Sequence, residues 1–198
     1  MIYVVGCKHR DPMIAPFLKG LDHEIYMTPD YLLPEKLEIP PQHRGLTCNL
    51  QNHMRCCYGH RDVMRAMGDE ALIMEDDALP NCSNWLEICM EARKLLDEFA
   101  IVSVHTRDKL ESVWTKRPFM DRNIWIRGGG WGVGSLAYWI RKETAKHWIN
   151  RPFDGLPMDL GLFHIAKEAQ PDTTRRFCAV HPSPLDHVGK TLMDASHA

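Results

Sequence analysis

Short apolar runs alternate along this chain with longer stripes spaced at three and four residues, as when strands and helices follow one another in turn. Runs at 2–5, 23–27, 71–74, 100–104, 135–140 and 177–180 predict strands. Stripes over 13–19, 44–67, 84–99, 141–150 and 158–168 predict helices. In the longest, Leu46, Leu50, Met54, Cys57 and Met64 share a face, and Asn49, Asn52, His53 and His60 fall on others. Ser83 stands where an N-cap for 84–99 is expected, and Gly68-Asp69 closes the long helix. Residues 28–42 carry prolines at 29, 34, 40 and 41 and predict a loop, and 106–127 predict a hairpin at or beyond the sheet edge. The expected fold class is α/β, a mostly parallel sheet flanked by helices, in a single domain over 1–190 with a tail at 191–198.

One run breaks the pattern. Ala71-Leu72-Ile73-Met74 is apolar throughout, as in a strand buried on both faces, and it ends abruptly in Glu75, Asp76 and Asp77. Pro80 is expected to stop the strand. Adjacent carboxylates repel one another and are costly to desolvate unless a cation sits among them. The C-terminal edge of such a sheet is where ligands bind. The expectation is a Mg²⁺ or Mn²⁺ site that holds a diphosphate, and the alternative is a solvated acidic turn.

Other polar groups sit near predicted strand ends. Gly6 follows the first strand and leads into Lys8 and Arg10, which are candidates for phosphate or members of a solvated loop. The glycine-rich stretch 127–134 fits neither the Walker nor the dinucleotide spacing. Its Trp131 suits stacking on a sugar or base, with a structural turn as the alternative. Asp159 opens a helix, as a favourable N-terminal charge or as a base held over a substrate.

Composition narrows the class. The 198 residues are 44% hydrophobic and 25% charged, with a net charge of −2, so no global basic footprint for nucleic acid or anionic membrane is present. The seven cysteines form no CxxC pair, which predicts reduced thiols in place of a disulfide frame or zinc knuckle. No stretch approaches the roughly 20 apolar residues of a membrane span, and the start of the chain is too short for a signal segment. A cytoplasmic location is the expectation.

The strand ending in Glu75-Asp76-Asp77, the preceding helix with Asn52-His53, the segment 134–141, Pro157-Met158-Asp159 and His187-Val188-Gly189 occur in a meaningful order. Together they resemble the nucleotide-sugar glycosyltransferases of the Rossmann-like A-type fold. The nearest likeness is to the lipooligosaccharide and collagen galactosyltransferases, over roughly residues 45–190. The resemblance implies roles. Glu75 and Asp76 would face the donor ribose, Asp77 would ligate Mn²⁺ or Mg²⁺, and His187 would complete the shell, with His181 in reserve. Gly6 and Arg10 would cradle the nucleotide, and Asn52 and Trp131 would belong to the donor site. Asp159 would be the general base if the reaction inverts the anomeric centre, a role a retaining reaction would not need.

The implied function is transfer of a sugar from a nucleotide donor, a UDP-sugar, to a hydroxyl on a glycan, a protein or a hydroxymethylated DNA base. Two alternatives use the same residues. One is a nucleotidyltransferase or phosphohydrolase built on the acidic metal site. The other is a sugar-binding module without chemistry.

Overall fold

Strands β1 (Ile2–Cys7), β2 (His23–Thr28) and β3 (Glu70–Glu75) begin an eight-stranded sheet in the computed structural model, which describes residues 1–7, 11–29, 50–106, 114–127 and 134–187. β4 (Ala78–Pro80) leaves that sheet. β5 (Ile101–Ser103), β6 (Trp114–Phe119), β7 (Arg122–Arg127), β8 (Ala137–Arg141) and β9 (Phe177–His181) complete it, in the order β2-β1-β3-β8-β5-β9-β7-β6. β1, β2, β3, β5 and β9 run one way, with β8 reversed between β3 and β5 and β7 reversed beside β9. The fold is therefore the expected α/β class, a mostly parallel sheet between helices. The hairpin β6–β7 lies at the sheet edge, as its alternating pattern predicts.

Each face of the sheet packs its own core, because successive strand residues point to opposite sides. Leu72, Met74, Val102 and Trp139 face helix α2 (Trp85–Ala92). Ala71, Ile73, Ile101 and Tyr138 face α1 (Leu50–Ala66), α3 (Lys142–Ile149) and α4 (Met158–Ala169). Ala71, Leu72, Ile73 and Met74 have no exposed surface, so β3 is the sheet's buried spine. Full burial of a side chain such as Leu72 or Met74 is worth about 1.5–3 kcal/mol. Gly59 lets α1 press close to the sheet, since a Cβ there would meet Val5 Cγ1 at 2.8 Å. Among the described residues, no helix is long and apolar enough to cross a membrane.

Five local expectations change. Residues 13–19 form only a 3-10 turn at Ala15–Leu18, because Pro16 has no N–H to give and Ile14 spends its own on Asp76 O. The 84–99 stripe is α2 followed by a 3-10 segment, Arg93–Asp97, which turns Leu96 and Phe99 into the core. Its N-cap is Asn84, not Ser83, and makes no side-chain cap bond. β3 ends at Glu75, ahead of the turn at Asp76-Asp77, and so is not stopped by Pro80. Pro80 closes β4, a short edge strand that pairs antiparallel with β10 (Leu185–His187), a strand absent from the predicted runs. Finally, His53 and His60 are buried. They share the Cys57 and Met64 face at steps of four, three and four, and that face meets the sheet. Residues 30–49 and the tail 191–198 lie outside the described residues.

Candidate active site at the carboxyl edge of the sheet

β3 carries Glu75 and the turn Asp76-Asp77 to the edge where the parallel strands end. Main-chain bonds fix this turn from three sides. Glu75 N–H donates to Leu136 O (2.7 Å), Asp76 N–H donates to Val5 O (3.1 Å), and Asp76 O accepts from Ile14 N–H (3.1 Å). Asp76 and Asp77 are both buried. The acidic triplet is thus built into the sheet edge and is not a solvated turn.

The β4–β10 pair then brings a histidine back to it. In that register Leu185 faces Pro80 and His187 faces Ala78, the residue after Asp77. His187 Nε2 lies 3.3 Å from Asp77 Oδ2. Asn81 secures the returning segment by donating from Nδ2 to Ser183 O and Asp186 Oδ1, both at 2.9 Å. Ser183 Oγ in turn donates to Val104 O (2.9 Å). A buried carboxylate oxygen met by an imidazole nitrogen from the solvent side fits a divalent cation of the Mn²⁺ or Mg²⁺ kind.

Glu75 points to the α1 side. Its Oε1 accepts from Ser135 Oγ and lies 3.6 Å from His60 Nε2. His60 Nδ1 is bonded to Tyr138 OH at 2.8 Å, with the two rings stacked. Burial by itself would raise the Glu75 carboxyl, but His60, Ser135 and the charge of His187 outweigh it and hold the group below its ordinary value. Glu75 is kept as a carboxylate.

Asp159 occupies the first turn of α4, where its Oδ1 accepts from Leu160 N–H at 2.9 Å. Its charge reaches His53 and Cys56 on α1. Burial holds the His53 imidazole below its ordinary value, against the pull of Asp159. The Cys56 thiol is pushed far up, by burial first and then by neighbours that include Glu75, Asp159 and Asp77. Glu75, Asp77 and Asp159 all lie close enough to Cys56 for their charges to act on its thiol.

Of the other predicted residues, Gly6 and His181 are fully described and three are not. Gly6 is at the end of β1, and the space beside its Cα is filled by Met27 and Pro12 side chains. Arg10, Trp131 and the side chain of Asn52 lie outside the described residues. His181 is engaged elsewhere, with Nδ1 bonded to Thr106 Oγ1 (3.1 Å) and its ring against Trp125. Sequence reasoning missed Cys56, His60, Ser135 and Tyr138. The helical spacing of 53, 57, 60 and 64 was a usable signal for His60, whereas the Tyr138 and Ser135 contacts are non-local.

No family model matches the chain, and no curated protein does. Solved structures give distant likenesses. A glycosyltransferase involved in glycosylation of the major capsid of PBCV-1 shares 10% identity, with 100% of this chain and 99% of that one covered, at a TM-score of 0.49. A protein of STIV shares 13% identity over 96% of this chain and 87% of its own, at 0.46. A putative glucose-1-phosphate thymidylyltransferase from Bacillus anthracis shares 8% over 98% and 75%, also at 0.46. Likenesses this distant leave the function to be argued from the chain's own residues.

Proposed function

We propose that the chain is a cytoplasmic, metal-dependent glycosyltransferase that moves a sugar from a UDP-sugar to an acceptor hydroxyl. The observation that carries this reading is the return of His187 onto Asp77 at the end of the buried strand β3. Asp77 and His187 would hold Mn²⁺ or Mg²⁺, which when bound supplies positive charge against the departing diphosphate. Glu75, kept ionised by His60 and Ser135, accepts hydrogen bonds from the donor ribose together with Asp76. Gly6, Arg10, Asn52 and Trp131 complete the donor site, Arg10 on phosphate and Trp131 on the face of a sugar or base.

Asp159 is the general base. As the acceptor oxygen attacks the anomeric carbon, its proton passes to the Asp159 carboxylate and the bond from that carbon to UDP breaks. The outcome is inversion. The burial-lowered His53 keeps a neutral imidazole near this carboxylate and does not compete for the role of acid at neutral pH.

A panel of UDP-sugars, with Mn²⁺ or with chelator, tests this by UDP release in the presence of glycan, peptide and hydroxymethylated DNA acceptors. The expected result is metal-dependent release that an acceptor accelerates. Asp159→Asn is expected to slow turnover by about 10²–10⁴-fold and to leave UDP binding intact. Pyrophosphate formation from a nucleoside triphosphate and a sugar 1-phosphate, without any sugar transfer, would hand the site to the nucleotidyltransferase reading.

A further inference from the structure

Behind the proposed cation pair lies a second set of ligands with different chemistry. Cys56 and His60 are four residues apart on α1, so their side chains rise from the same helical face, and Glu75 meets them from β3. The Cys56 Sγ, a His60 ring nitrogen and a Glu75 carboxylate oxygen lie within 4.8 Å of one another. His60 has no exposed surface, and its buried Nε2 stops 3.6 Å short of Glu75 Oε1, outside hydrogen-bond distance. A buried imidazole nitrogen whose carboxylate neighbour is too distant for a good hydrogen bond gains free energy when a cation bridges the two.

We propose that Cys56, His60 and Glu75 form a site for a borderline-soft divalent ion of the Zn²⁺ type, distinct from the Asp77–His187 pair. The donor set decides the ion. A thiolate sulfur, an imidazole nitrogen and one carboxylate oxygen are zinc ligands, whereas Mg²⁺ takes oxygen. Three protein ligands leave one position for water. Tyr138 supplies the outer contact that such sites use. With His60 Nδ1–H donating to Tyr138 oxygen, the Nε2 lone pair faces the ion. The carboxylates around Cys56 attract a dication and, without one, oppose the thiolate. Binding therefore expels the thiol proton to solvent as the metal–sulfur bond forms. An ion here ties α1 to the spine strand and fixes Glu75 from behind.

This site does not depend on the glycosyltransferase reading, and its test uses no nucleotide. Chelator-stripped full-length protein is titrated with Co²⁺ and followed by absorbance. The expected result is one tightly bound Co²⁺ with a thiolate-to-metal charge-transfer band, displaced by equimolar Zn²⁺. Cys56→Ser should abolish the band, and Glu75→Gln should weaken Co²⁺ binding at least tenfold, with circular dichroism confirming that both fold. Asp77→Ala should keep the band. A missing band in the wild type, a band that survives Cys56→Ser, or a band lost in Asp77→Ala would overturn the assignment.

Discussion

Tyr138 and Trp139 are neighbours on β8, both fully buried, and they enter two different interiors. Trp139 points at α2, and its indole N–H donates to Cys89 O at 2.7 Å, after which its surroundings are apolar. Tyr138 points at α1, and its hydroxyl starts a polar chain through His60 to Glu75 and Ser135. The α2 side spends its residues on packing. The α1 side accepts buried imidazoles beside a carboxylate, which is costly and is tolerated where a site requires it. One sheet thus has a supporting face and a working face, and the acidic turn sits where the working face reaches the edge.

Truncation on the supporting face should have the largest effect. Trp139→Ala leaves a cavity and a buried Cys89 carbonyl without its donor, and is expected to cost about 3–5 kcal/mol in urea unfolding. Tyr138→Phe keeps the volume and removes only the hydroxyl on His60, with an expected cost of about 1–3 kcal/mol in the same assay. An equal loss from both would break the contrast between the two faces.

Proton linkage gives a finer test. Glu75 holds its proton less tightly folded than unfolded, so the unfolded chain takes it up first as the pH falls. Its contribution is whole above the ordinary carboxylate value and is lost as pH drops through the lower folded value. His53, also lowered, works in the same direction over the histidine range: stability declines as the pH falls below the ordinary imidazole value. Glu75→Gln should flatten the acid limb of a stability–pH profile and leave the histidine limb in place. The smallest effect is reserved for the exposed Lys94–Glu91 pair, where Lys94→Ala should stay within about 0.5 kcal/mol.

Much of this frame is legible in the sequence because it is local. The apolar run before Glu75 announces a two-sided buried strand, and the alternation in 114–127 announces a hairpin. What fails is non-local. Nothing adjacent to Leu185-Asp186-His187 marks it as a partner for Ala78-Leu79-Pro80, since the pairing joins segments a hundred residues apart in sequence, held by Asn81. That pairing alone delivers His187 to Asp77. The buried histidines were misplaced for another reason. Their polarity argues for an outer face, but for His60 the sheet supplies Tyr138 and Glu75 as partners, and tertiary contacts override polarity.

The most direct test of the central claim is calorimetric titration of UDP into the protein, with Mn²⁺ and with EDTA, in the wild type and in Asp77→Ala. The account predicts binding that requires Mn²⁺ and is lost in Asp77→Ala. UDP binding of equal strength with EDTA, or unchanged in Asp77→Ala, would contradict it, as would no binding in either condition.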